Sequence, residues 1–155
     1  MNTDLDDNDY QERPLLPGGG TRFVNQWTDT QWHPALIRVV LKDIYDHVDP
    51  AHREYFRTTR EQRFGMSIDA MHAGRGQYEQ ELKRVLGFLR EMLGGQPFVC
   101  GKSPAYADYI VFGAFQRARS ISPFVLFDAA GPIAQWRGRV CRLYSSLANT
   151  VPHYE

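Results

Sequence analysis

The sequence predicts an all-α protein, a single bundle of five or six helices. Beyond residue 20, apolar side chains recur every three or four residues through most of the chain, which is the period of a helix buried on one side. No stretch alternates apolar and polar residues for long enough to compete as a strand. The chain has 155 residues, 43% hydrophobic and 23% charged, which is typical of one globular domain.

Start and stop signals divide this periodic stretch into helices. Asp49 and Ser67 are N-cap candidates, because their side-chain oxygens can accept hydrogen bonds from the amides of a first turn. Gly65 and the pair Gly94-Gly95 are stop signals. The expected helices cover about 21–48, 50–62, 67–93, 104–119, 124–129 and 131–148.

A proline lies inside the first of these helices. Pro34 cannot donate to the carbonyl of residue 30, and its ring crowds that carbonyl. We therefore expect a kink or a break near residues 31–33. Trp32 lies at this bend, and we expect it to be more exposed than Trp136, which lies on the apolar stripe of the last helix.

Composition and charge exclude several classes of partner. The 18 basic and 18 acidic side chains balance, so the cationic surplus of a nucleic-acid-binding protein is missing. No apolar run approaches the roughly 20 residues that span a bilayer, and the N-terminal segment is acidic, unlike a secretory signal. We expect no nucleic acid and no membrane as partners, and a cytoplasmic location.

The common catalytic and metal-binding motifs do not occur in the sequence. There is no phosphate-binding glycine loop and no GxSxG motif. Cys100 and Cys141 lack a neighbouring partner and are expected to be buried, reduced thiols. His47 and His52 are five residues apart, which is off the spacing that places two imidazoles on one helix face. The sequence predicts no metal site and no catalytic residue.

The most specific segment covers residues 98–109, FVCGKSPAYADY. An apolar pair and a glycine turn precede a helix that carries Asp108 in its first turn, where a carboxylate can satisfy free amides. Ala105 has no side-chain oxygen, so Ser103, followed by Pro104, is the expected cap. Asp108 is interpreted as a structural residue at the helix start.

This interpretation predicts a stability effect. Asp108→Ala is expected to cost about 1–3 kcal/mol, because amides at the helix start lose their acceptor. Glu61→Ala, at a position expected to be on the surface, should cost less than about 0.5 kcal/mol.

The same segment resembles the signature that introduces the central helix in the C-terminal helical domain of glutathione transferases. Residues 10–18 (YQERPLLPG) look like the linker that leaves the thioredoxin-like half of these enzymes. Residues 1–20 are therefore interpreted as the linker and the remnant of an absent thioredoxin-like domain, and residues 21–155 as the helical domain. Residues 55–65 and 106–115 are most similar to the bacterial β-etherase-like and fungal etherase-type branch.

The resemblance implies a division of roles. The thioredoxin-like half binds glutathione and activates its thiol, whereas the helical half shapes the pocket for an apolar or aromatic electrophile. The isolated chain is then expected to be inactive and not to bind glutathione. A second copy of the chain is a further candidate partner. By analogy with the family, the expected substrate-binding residues are Trp32, His33, Leu36, Val40, Phe112 and Gln116; ordinary core packing is the alternative for each.

Two other interpretations stay open. The chain could be a stand-alone, non-enzymatic transferase-like module that acts through protein association. Roughly 80 upstream residues with strand-helix-strand patterning in the reading frame would favour the enzyme. A helical bundle unrelated to transferases is also compatible with the periodicity alone.

Overall fold

The computed structural model describes residues 19–143, and in this range every regular element is helical. A π-helical turn, Thr28–Trp32, joins the first two helices into one rod, so the described residues form six helical rods. The all-α bundle predicted from the sequence is confirmed. The helices are α1 (Gly19–Trp27), α2 (His33–His47), α3 (Arg53–Phe64), α4 (Ile68–Ala73), α5 (Arg75–Gly95), α6 (Tyr106–Ile121) and α7 (Pro132–Leu143).

The distortion expected at Pro34 takes the form of the π-helical turn directly before it. The amide of His33 donates to the carbonyl of Thr28, five residues back, instead of the usual four. A wider turn of this kind inserts one residue into the helix and shifts its hydrogen-bond register. The chain thus passes the proline without a break, because the helix continues on both sides of the distortion.

Three of the predicted helix ends are confirmed by local geometry. Asp49 Oδ1 accepts from the amide of Ala51 at 2.8 Å, before the short 3-10 turn Pro50–His52 that leads into α3. Ser67 Oγ accepts from the amide of Ala70 at 3.0 Å and caps α4. Gly65 ends α3 with φ 68°, a left-handed conformation that glycine adopts without steric cost.

Three other expectations were wrong. The predicted helix over 67–93 is interrupted at Gly74, where ψ is 7° and α4 ends. No helix forms over 124–129; residues 122–127 are irregular, and the amide of Phe124 donates to Ser122 Oγ at 3.1 Å, a local contact that competes with a helix. Gly19 and Gly20 belong to α1 instead of the tether. The rest of the predicted tether, residues 1–18, lies outside the described residues, as does the end of the predicted last helix.

Two apolar clusters stabilise the described bundle. The larger contains the fully buried Trp32, Trp136, Phe115, Leu82 and Leu89, and the smaller consists of Leu41, Ile68 and Met71. Asp43 of α2 makes polar contacts with two other parts of the chain. Its Oδ2 accepts from Ser122 Oγ at 2.5 Å and lies 3.4 Å from Arg75 Nη2. These contacts attach the irregular segment 122–127 to α2 and α5.

Candidate functional site

A groove of about 360 Å³ lies between α2, the end of α3 and the second half of α6. Its volume falls in the range of small-molecule sites. The polar or charged residues of the lining are Asp29, His33, Arg63 and Arg117. The other residues are apolar: Pro34, Leu36, Ile37, Val40, Ile44, Phe64, Ala114, Ala118 and Ile121.

The polar groups of the groove are suited to orienting a ligand. His33 Nδ1 lies 3.5 Å from Asp29 Oδ1, and both side chains are solvent-exposed. The guanidinium of Arg63 lies over the ring of Phe64, with Cζ 5.7 Å from the ring centroid. No hydroxyl or thiol occurs among the described residues that line the groove. The groove can therefore bind an apolar molecule, but its described residues offer no hydroxyl or thiol nucleophile.

Three of the six predicted substrate-binding residues meet at this groove, namely His33, Leu36 and Val40. The other three do not line it. Phe112 faces α7 instead, with its ring centroid 6.4 Å from that of Trp136. Gln116 is half-buried elsewhere on α6.

The residues of α6 that line this groove differ from the two predicted on that helix. The residues that face the groove are Ala114, Arg117 and Ala118. Ala114 and Ala118 are four residues apart and so share one helix face. In the sequence, two alanines at this spacing could have indicated that α6 leaves room for a groove between itself and α2.

The exposure predicted for Trp32 was wrong. Trp32 and Trp136 are both 0% exposed, and the Trp32 ring lies 4.7 Å from the Phe115 ring between centroids. Trp32 precedes Leu36 by four residues, so it shares the buried stripe of α2. The neighbouring His33 is the residue at this bend that reaches solvent.

Asp108 is fully buried and joins three parts of the chain. Its Oδ1 accepts from the amide of Val99 at 2.8 Å and from Trp136 Nε1 at 2.7 Å. Its Oδ2 accepts from the amide of Ala105 at 2.9 Å. The carboxylate therefore fixes the turn at 98–101, the start of α6 and the face of α7 at once.

The expectation that Ser103 caps this helix was wrong. The helix begins at Tyr106, with Ala105 at the cap position, so Ser103 lies too far upstream. The amide of Asp108 donates to the backbone carbonyl of Ala105 at 2.9 Å, while the carboxylate of Asp108 accepts from the Ala105 amide. This pair of contacts closes the first turn without a side-chain cap at residue 105.

The two cysteines differ in environment. Cys141 is buried, as expected, but Cys100 is exposed. Partial burial of its sulfur, and then the nearby negative charge of Asp108, raise the pKa of the Cys100 thiol above its usual value. The thiol therefore stays protonated at neutral pH, which opposes a role as a nucleophile.

Within residues 19–143, no cluster of three or more His, Cys, Asp or Glu side chains is arranged to hold a metal ion. In the same range, every helix is too short or too polar to cross a membrane.

A comparison with known families identifies the domain. Residues 21–147 match the family model described as "Glutathione S-transferase, C-terminal domain". The match spans most of the chain and excludes an unrelated helical bundle, but it does not distinguish the etherase-type branch from others. This chain belongs to the glutathione S-transferase C-terminal domain family.

Proposed function

We propose that this chain is the substrate-side domain of a glutathione transferase and that its groove holds an apolar, aromatic electrophile. The observation that carries the proposal is the groove itself: an apolar lining of small-molecule size that contains no hydroxyl or thiol in its described residues. A site of this kind binds a substrate while the nucleophile comes from elsewhere. Glutathione bound to a thioredoxin-like domain would supply that nucleophile.

In this reaction the glutathione thiolate attacks an electrophilic carbon, a carbon-sulfur bond forms, and the leaving group departs with its electron pair. For an aryl ether the leaving group is an aryloxide, as the etherase-type resemblance implies. Arg63 and Arg117 line the groove, and a guanidinium favours negative charge that develops on a departing oxygen. Apart from Asp29 and His33, the remaining lining is apolar and suits the rings of such a substrate.

A non-enzymatic module that acts through protein association is the less favoured function. The groove is concave and of ligand size, which favours a small molecule over a protein partner at this site.

The proposal predicts that the 155-residue chain binds a neutral aryl ether but not glutathione. In calorimetric titrations, 2-phenoxyacetophenone should bind weakly and saturably, because the groove covers only one side of it. Ile37→Trp should lower this affinity at least about tenfold by filling the groove, whose lining includes the half-buried Ile37. Ser120→Trp, on an exposed position of α6, is the matched control and should leave binding unchanged.

Millimolar glutathione should give no saturable heat in the same experiment. Equal affinity of the ether for the wild type and Ile37→Trp would exclude the groove as the substrate site. Saturable glutathione binding would contradict the assignment of this chain to the substrate side alone.

We also propose that a second copy of the chain docks on the aromatic surface of α1 and α5. Phe23 and Phe88 are 65% and 68% exposed, and they border the same shallow depression together with Trp27 and Met92. Apolar surface of this kind often marks an association site. The two-fold symmetry common in homodimers would bring one such surface onto its copy.

This arrangement predicts a dimer in sedimentation equilibrium that Phe88→Lys converts to a monomer, because a charge in the centre of an apolar contact is costly to bury. Tyr55→Lys is the control, since Tyr55 is 76% exposed on α3, away from this surface. A wild-type monomer, or a Phe88→Lys protein that stays dimeric, would disprove the interface.

A further inference from the structure

A second cavity, of about 290 Å³, lies between the end of α6, the irregular segment 122–127 and α7. It shares no lining residue with the substrate groove. Phe124, Leu126 and Phe127 contribute apolar walls, and the cationic side chains Arg119 and Arg137 also line it. None of the described residues that line this cavity is an aspartate or a glutamate.

The side chain of Arg137 has an unusual environment. Its Nε and Nη1 atoms are buried and have no hydrogen-bond partner within the described part of the chain. Its Cζ lies 5.9 Å from the centroid of the Phe127 ring, a contact that satisfies the charge only in part. Arg137 as a whole is half-buried, and a guanidinium with buried donors normally pairs with a carboxylate or a phosphate.

Two acids beside the cavity are already engaged: Asp128 adjoins its lining residues in the sequence, and Asp43 contacts the lining residue Ser122. Asp128 Oδ1 accepts from the amide of Ala130 at 3.0 Å. Asp43 accepts from Ser122 and lies beside Arg75. Neither of these two carboxylates therefore pairs with the guanidinium of Arg137.

We infer that this cavity binds a small aromatic carboxylate. The carboxylate pairs with the guanidinium of Arg137, whose charge and planar donors suit a carboxylate. The aromatic ring of the ligand packs against the walls formed by Phe124 and Phe127. The site is separate from the substrate groove and does not depend on the function proposed for it.

Calorimetric titration of the full chain with 1-naphthoate and with the neutral 1-naphthamide tests this site. We expect naphthoate to bind at least about tenfold more tightly, because a charge-assisted hydrogen bond contributes more than a neutral one. Arg137→Gln should remove this preference by lowering the naphthoate affinity at least about tenfold. Arg142→Gln, an exposed arginine on the same helix, removes the same charge and should change the affinity less than about twofold.

Circular dichroism establishes whether Arg137→Gln is folded. If it is not, Ala129→Trp provides the test, because Ala129 is exposed and lines the cavity, and a large ring there should weaken both ligands. Equal binding of naphthoate and naphthamide to the wild type would overturn the inference. So would naphthoate binding that survives Arg137→Gln or Ala129→Trp, or that is lost in Ile37→Trp, which would place the ligand in the substrate groove.

Discussion

Replacing Asp108 with alanine is expected to lower the free energy of unfolding by about 3–5 kcal/mol, because each buried donor left without an acceptor costs about 1–3 kcal/mol. The carboxylate accepts from the amides of Val99 and Ala105 and from Trp136 Nε1, and it is fully buried. Removing it leaves three donors without an acceptor in a site that water does not reach. The effect is larger than the figure of about 1–3 kcal/mol for a helix start alone, because two of the three contacts lie outside the helix.

Urea unfolding followed by circular dichroism measures this effect. Asp108→Asn should cost about half as much, since an amide oxygen in the Oδ1 position keeps the contacts to Val99 and Trp136 while the NH₂ group opposes the Ala105 amide. Glu61 is unsuitable as the surface control, because its Oε1 accepts from the amide of Ile68 at 3.0 Å. Glu91, whose side chain is 81% exposed, replaces it and should cost less than about 0.5 kcal/mol when changed to alanine.

An Asp108→Ala protein as stable as Glu91→Ala would show that the three contacts contribute little. The role of Asp108 as the junction of α6, α7 and the turn before α6 would then be wrong.

The two buried tryptophans should respond differently to replacement by phenylalanine. Both are 0% exposed, so each substitution creates a cavity of similar size. Trp136 Nε1 donates to Asp108, whereas Trp32 Nε1 is buried with no hydrogen-bond partner among the described residues. Trp136→Phe therefore loses packing contacts and also a hydrogen bond to a charged group. Trp32→Phe loses packing contacts too, but it removes a buried donor that had no acceptor.

We expect Trp136→Phe to be less stable than Trp32→Phe by about 1.5–3 kcal/mol, the usual contribution of a hydrogen bond to a charged group. Unfolding of both variants in urea, followed at a helical circular dichroism band, gives the difference directly. Combining Trp136→Phe with Asp108→Ala should cost clearly less than the sum of the single changes, because the two residues share one contact. Strict additivity, or equal stability of the two tryptophan variants, would contradict this account.

The sequence by itself determined the features that depend on neighbouring residues. Helical periodicity predicted the all-α fold, and the side chains of Asp49 and Ser67 marked helix starts because a cap contacts amides two or three residues away. Gly65 marked a helix end for the same local reason. The position of Asp108 in the first turn of a helix was also evident, and so was its structural role.

The contacts between helices that are distant in the sequence are known only from the tertiary structure. Trp136 is 28 residues from Asp108, so their hydrogen bond left no local signal. The face of α6 that borders the groove is set by packing against α2, and Ala118, not Phe112, points there. The environment of Arg137 likewise depends on α7 meeting the segment 122–127. Periodicity in the sequence gives the position of a residue around its own helix. Which other helix packs against that side depends on the close packing of side chains that are far apart in the chain.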